Sequence, residues 1–151
     1  MKKYIYILIL IPLLFLSCDY SPIYSNQNNY DFEIEKIQLN GDAEINNLID
    51  KKLKKYNKSS NVKKFSIFAS SSYLKSSQSK NLSGKTTNYE IIINVNFQVE
   101  KENKIKNFKF EEKFLIKNYS NKFEENNLEK IKKENSIDLM INKLVTQISQ
   151  M

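Results

Sequence analysis

The chain has 151 residues and a formal net charge of +7, with no His, no Trp, no Arg and a single Cys, Cys18. That length suits one domain. The absences exclude a Ser-His-Asp triad, a Cys/His zinc site and an internal disulfide, and two Gly leave little room for phosphate-cradling loops.

The first element is a leader. Met1-Lys2-Lys3 is a short positive start, and an apolar run of 13 residues follows from Tyr4 to Leu16, interrupted by Pro12. A bilayer span needs about 20 residues, so this run reads as a secretory signal. It ends in Leu16-Ser17-Cys18, which resembles the bacterial lipobox. In that pattern the Cys becomes the first residue of the mature protein and carries acyl chains. Each buried CH₂ of such a chain contributes about 0.8 kcal/mol of membrane affinity. The alternative is a free thiol in an uncleaved anchor helix, and both the length and the flanks of the run oppose it. The expected division is a signal peptide at 1–17, a lipidated Cys and tether at 18–31, and one domain at 32–151. Loss of Lys2 and Lys3 lowers the charge from +7 to +5.

Residues 19–31 are polar and Asn-rich, as a tether would be. Phe32, Ile34, Ile37 and Leu39 then mark a first strand whose phase slips between Ile34 and Ile37, which points to a bulge. Asn40-Gly41-Asp42 is a turn, and Asp42 is placed to cap a helix. Ile45, Leu48, Ile49, Leu53 and Tyr56 recur at helical spacing, which predicts a helix over about 42–57. Phe65, Ile67, Ala69 and Tyr73 share one parity and predict a second strand over 63–73. A polar connection over 75–87 is expected next. Tyr89, Ile91, Ile93, Val95, Phe97 and Val99 alternate with polar residues, and only Ile92 breaks the pattern. Such alternation fits an antiparallel sheet buried on one face. A charged hairpin over 100–104 leads to a fourth strand through Phe108, Phe110, Phe114 and Ile116. Ile137, Met140, Ile141, Leu144, Val145 and Ile148 form the stripe of a final helix, starting between Asn121 and Asn127 and ending near Ser149. The order is β-α-β-β-β-α. The expected fold class is α+β: a two-layer sandwich with a mostly antiparallel four-stranded sheet and two helices on one face.

Motifs that would carry chemistry fail on their context. Gly84-Lys85-Thr86 lacks the upstream Gly of a phosphate-binding loop, since Ser79 stands there, and a strand follows it where a helix is required. Two Ser-x-x-Lys matches, Ser72 to Lys75 and Ser77 to Lys80, lack their companion motifs. Glu111 and Glu112 are adjacent on a strand, so they point to opposite faces. Glu124-Glu125 at a helix start reads as compensation of the helix dipole. No catalytic residue, metal site or cofactor is expected.

The Lys residues admit two readings. Lys75, Lys80 and Lys85 lie in the connection between the second and third strands, where they are either a solvated loop or a binding place for phosphates. Lys, Asn and Ile number 24, 20 and 19, the signature of AT-rich codons, which weakens any argument from basicity. The missing Arg removes the bidentate base contact, so no nucleic-acid partner is expected.

The mature start, Cys18-Asp19-Tyr20-Ser21-Pro22-Ile23-Tyr24, resembles the Cys-Gly-Phe-x-Pro-Leu-Tyr opening of the LPS-assembly lipoproteins of the LptE type, especially those of alphaproteobacteria. The later pattern is similar too: a Thr-rich approach at Thr86-Thr87 to an alternating strand, an aromatic strand reaching Tyr119, and a long last helix. The resemblance implies an outer-membrane lipoprotein, held by acylated Cys18, that plugs the LPS-translocon β-barrel, helps it assemble and assists lipopolysaccharide to the cell surface. It implies no enzymatic activity. Tyr20, Pro22, Ile23 and Tyr24 would then touch the barrel rim or the lipid interface, or form only an ordered tether. Lys80 and Lys85 are candidates for LPS phosphate contact, although Lys is a point charge and not a bidentate fork. Two departures stand out: Asp19 replaces the usual Gly, and near the start of the third strand, where the family often has Arg, Asn88 and Lys85 are the nearest polar candidates. The alternative function is a lipid-anchored periplasmic chaperone or carrier for another envelope component.

Overall fold

The computed structural model describes residues 32–56 and 63–151. In chain order these form β1 (Phe32–Gly41), α1 (Ala43–Leu53), a 3-10 turn (Lys54–Tyr56), β2 (Lys63–Lys80), β3 (Thr86–Lys101), β4 (Lys104–Lys117) and α2 (Lys122–Ser149). The strands lie side by side in the order β1-β2-β3-β4. β1 is parallel to β2, and the other two pairings are antiparallel. A parallel pair needs a crossover, and α1 supplies it. The fold is the expected α+β sandwich with its β-α-β-β-β-α order.

The bulge in β1 falls where the slip in phase placed it. Register shifts between Ile34 and Lys36. The extra residue returns Ile37 and Leu39 to the face that holds Phe32 and Ile34. Gly41 then ends the strand at φ +102°, a conformation L side chains rarely adopt. A Cβ there would collide with the backbone carbonyl of Ser71 on β2. Asp42 caps α1 by accepting the Ile45 N–H at 2.9 Å. α1 is shorter than 42–57, and its last turn tightens so that Tyr56 stacks on Phe32 at 5.9 Å.

The second difference lies in the β2–β3 hairpin. The polar connection shrinks to 81–85, because β2 runs on to Lys80 and β3 starts at Thr86. Hydroxyls hold this extension. Ser77 Oγ meets Thr86 Oγ1 at 2.9 Å, Ser79 Oγ meets Thr87 Oγ1 at 2.7 Å, and Asn88 Nδ2 donates to Ser79 Oγ at 2.8 Å. Cross-strand Ser and Thr pairs support a sheet as apolar pairs do, yet their composition reads as loop. The β3–β4 connection is a two-residue turn with Glu102 at φ 47° and Asn103 at φ 65°, the primed geometry that matches strand twist.

One face of the sheet carries the core. Phe65, Ile67, Ile91, Ile93, Val95, Phe97, Val99 and Ile116 are buried against Ile45, Ile49 and Leu53 of α1 and Ile137 to Ile148 of α2. The other face is open. Ile92 sits on it, directly opposite Leu74 and diagonal to Leu115, which pairs with Glu90 two positions along, so the break in β3 faces other aliphatic side chains on the open face. No described helix is long and apolar enough to cross a membrane.

Candidate functional site

Cys18, Tyr20, Pro22, Ile23 and Tyr24 lie outside the described residues. Lys80 and Lys85 are described, and the fold brings them to one place, the tip of the β2–β3 hairpin. Asn81 builds that tip. Its Oδ1 accepts from the N–H of Ser83 at 3.1 Å, the hydroxyl of Ser83 at 2.8 Å and the N–H of Lys85 at 2.9 Å. The Asn81 N–H donates to the Lys85 carbonyl, and the Gly84 N–H to the Asn81 carbonyl, both at 2.9 Å. Gly84 supplies the positive φ of 77° that closes the turn.

The organised turn presents Leu82 to solvent with no cover, between exposed Lys80 and Lys85. Among the described residues neither ammonium has an ion-pair partner. Two solvated cations beside a bare aliphatic side chain suit an anionic amphiphile: each ammonium offers donors to phosphate oxygens, and Leu82 offers an apolar contact.

A buried ionic cluster braces the sheet behind this tip. Tyr73 and Lys75 continue the inward parity of β2 and meet Glu125, Glu129 and Lys133 of α2. Glu129 accepts from Tyr73 Oη at 2.6 Å, Lys75 Nζ at 2.8 Å and Lys133 Nζ at 3.0 Å. Lys133 also reaches Glu44 of α1 at 2.8 Å and lies 4.4 Å from the centre of the Tyr73 ring. Glu125 takes Lys122 at 2.7 Å, Lys75 at 3.2 Å and the Tyr119 N–H at 3.1 Å. Three Lys thus balance three Glu across β2, α1 and α2.

Burial alone would raise the pKa of Glu129. The hydrogen bonds from Lys75, Tyr73 and Lys133 outweigh it and bring the value from 4.5 down to about 2. Glu125 is likewise lowered, burial being overcome by Lys122, Lys75 and the Tyr119 N–H. Burial works against the ammonium of Lys75, but Glu129 and Glu125 hold it charged; Glu44 and Glu129 do the same for Lys133. Burial, then the bond to Glu129, pushes the Tyr73 phenol well above its ordinary range. Glu125 and Glu129 are each held ionised by three donors. Neither is poised to exchange a proton near neutral pH, and their bonds to β2 and α2 brace the fold.

Reading the sequence missed this cluster. Glu124 stays at the helix start, bonded to Asn121 at 3.1 Å, whereas Glu125 turns inward. The available signal was spacing: Glu125, Glu129 and Lys133 precede Ile137 and Ile141 at intervals of four, so the charged stripe is the apolar stripe continued. Glu111 and Glu112 do take opposite faces, pairing with Lys113 at 3.2 Å and Lys143 at 2.9 Å. Lys101 and Lys104 lie at the other end of β3 from the hairpin tip, as a meander requires.

No family model matches the sequence, and no curated protein does. Solved structures do. The chain is similar to the rare lipoprotein B of Shewanella oneidensis, with 19% identity and a TM-score of 0.52 over 76% of this chain and 95% of that one. It is similar to the uncharacterized lipoprotein B of Nitrosomonas europaea, with 10% identity and a TM-score of 0.52 over 81% of this chain and 87% of that one. At these identities the likeness is one of fold, and the fold is one that solved bacterial lipoproteins have.

Proposed function

We propose that this chain is an outer-membrane lipoprotein, anchored through acylated Cys18, that plugs the LPS-translocon β-barrel, helps it assemble and assists LPS insertion at the cell surface. The observation that carries the reading is the fold: the sandwich that follows the Leu16-Ser17-Cys18 sequence is the one found in rare lipoprotein B. The function is binding and scaffolding without catalysis. In this reading acylation at Cys18 fixes the N-terminal end at the membrane, and Tyr20, Pro22, Ile23 and Tyr24 are the candidates for contact with the barrel rim or the lipid interface.

The fold's length supports the role. The chain enters β1 at Phe32, which pairs with Lys63 at the start of β2, and the tip stands at the far end of that strand. Eighteen residues at about 3.3 Å each extend roughly 60 Å. A bilayer's hydrocarbon core is about 30 Å thick. A domain standing in a barrel along that axis is long enough to carry Lys80, Leu82 and Lys85 from the anchored end across the depth of the membrane, along the path that LPS takes to the surface. There the two ammoniums meet phosphates and Leu82 meets the acyl region.

The test is a pull-down from native membranes in mild detergent through a C-terminal tag, with mass spectrometry of the eluate. One large β-barrel protein in near-equal amount, in outer-membrane fractions, is the expected result. Acylated protein in inner-membrane fractions without such a barrel overturns the reading and favours a carrier for another envelope component.

A further inference from the structure

The open face of the sheet holds a shallow depression of about 500 Å³ that no helix residue lines. Two transverse rows of side chains form its floor. Register aligns Gln38, Phe68, Gln98 and Asn107 in one row, and Asn40, Ser70, Asn96 and Lys109 in the next. Five of these eight are amides, one is a hydroxyl, one is aromatic and one is charged. In a chain with 24 Lys and 17 acidic residues, two rows whose single charge is Lys109 on the edge strand form a field nearly free of charge. The charges stand at its margins: Lys36 and Glu100 on one side, Lys109 and the Glu111–Lys113 ion pair on the other.

Among the described residues the side chains of Gln38, Ser70, Asn96, Gln98 and Asn107 make no hydrogen bond within the protein. Phe68 is half-buried in the middle of them, with the Lys36 ammonium 5.6 Å from the centre of its ring.

We infer that this depression binds a neutral saccharide chain. An amide side chain both donates and accepts, as a sugar hydroxyl does, so a field of amides meets a polyhydroxylated ligand without a net charge. The C–H face of a pyranose packs on an aromatic ring, and Phe68 is the one aromatic placed for it. The volume lies within the ordinary range for small-ligand sites. An anionic polymer would need several cations that converge, and here Lys36 and Lys109 stand apart on the two edge strands, each with a carboxylate nearby, Glu100 and Glu111. Leu39, Ala69, Phe97 and Phe108 also line the depression, but they pack in or against the core, so Phe68 is the one outward apolar side chain of the two rows, where a protein partner would need several anchors. The inference is independent of the plug reading and of the hairpin tip: either can fail alone.

The test uses the full acylated chain in a zwitterionic detergent free of sugar. Neutral hexasaccharides of glucose, mannose, galactose and N-acetylglucosamine are titrated to about 20 mM, which detects a Kd near 1 mM. The ¹H–¹⁵N signals of the Asn and Gln side chains are followed. The expected result is saturable movement of the Gln38, Asn96, Gln98 and Asn107 signals with at least one sugar. Phe68→Ala then weakens binding at least about tenfold, equal to about 1.4 kcal/mol. Asn96→Ala, at an exposed position that the fold does not need, weakens it about threefold. Lys80→Ala with Lys85→Ala leaves it unchanged. No saturable movement with any of the four sugars overturns the inference, as does binding that survives both Phe68→Ala and Asn96→Ala. Open-face signals that broaden with protein concentration in the absence of sugar assign the face to a second copy of this chain and also overturn it.

Discussion

Replacing Glu129 with Gln keeps the shape of the side chain and removes its charge. The carboxylate receives Tyr73, Lys75 and Lys133 within 3.0 Å and is 12% exposed. Removing one partner of a buried ion pair costs about 3–5 kcal/mol, because the remaining charge stays desolvated. Lys133, 8% exposed, keeps only Glu44, whose side chain is 58% exposed. The titration gives a second route to the magnitude. A pKa of about 2 in the folded state, against 4.5 unfolded, corresponds to about 3 kcal/mol at 1.36 kcal/mol per unit. The folded value is the lower one, so this stability is present in full above about pH 4.5 and is lost as pH falls through about 2; at pH 3 roughly half remains. Glu129→Gln should therefore cost about 3 kcal/mol at pH 7 and about 1.5 kcal/mol at pH 3. Urea unfolding of wild type and variant, followed by circular dichroism at pH 7, 5 and 3, measures both figures. An equal cost at pH 7 and pH 3 refutes the argument, and so does a cost at pH 7 below about 1 kcal/mol, the value of an exposed pair.

Three further outcomes are expected. Gly41→Ala loses about 3 kcal/mol in the same urea assay, from positive φ and from collision with the Ser71 carbonyl, whereas Gly84→Ala, with nothing within 4 Å, loses about 1 kcal/mol for the φ alone. Equal losses would show that the close approach of β1 to β2 is not the reason for Gly41. Cys18→Ser releases the protein from membranes in fractionation, since the acyl chains are the proposed anchor; retention of the variant in the membrane pellet argues for another attachment. Lys80→Ala with Lys85→Ala lowers affinity for LPS at least about tenfold at low salt and leaves the urea midpoint in place, because neither ammonium pairs within the protein; unchanged affinity removes the tip from the LPS contact.

The core and the order of elements were legible because burial enforces periodicity. Ile91 to Val99 on β3 and Ile137 to Ile148 on α2 display their inward faces directly, and even the slip at Ile34 to Lys36 survives as a change of phase. What the sequence hid is where polar groups do the work of apolar ones. Ser77, Ser79, Thr86 and Thr87 pair across β2 and β3, yet Ser and Thr are also turn residues, so the hairpin read as loop. Glu125, Glu129 and Lys133 occupy the inward face of α2, yet a charge at a helix start has a local explanation in the dipole. Lys80 and Lys85 were legible as residues of the β2–β3 connection, but the shortness of that tip and the inward turn of Lys75 were not, since both follow from how far the hydroxyl ladder carries the strands.

These two substitutions have a common consequence for dynamics. The apolar core is continuous from Phe32 and Phe65 through Ile91 and Ile116, and beyond those residues the hairpin is held by hydroxyls, backbone bonds and the ionic brace. Hydrophobic burial is the main favourable term in folding, so the segment without it opens at lower free energy than the rest. Native-state hydrogen exchange should therefore find the paired amides of residues 77–80 and 86–88 opening locally, at least about 2 kcal/mol below global unfolding. Amides of residues 65–71 and 95–99 should exchange only when the whole sheet unfolds. Lowering the pH from 7 to 3 should loosen the braced region around Tyr73 and Lys75 before the core, because Glu129 is then losing its charge. If the hairpin end and the core exchange with one common free energy at both pH values, the hydroxyl ladder and ionic brace are as strong as the apolar core, and the gradient of stability toward the tip does not exist.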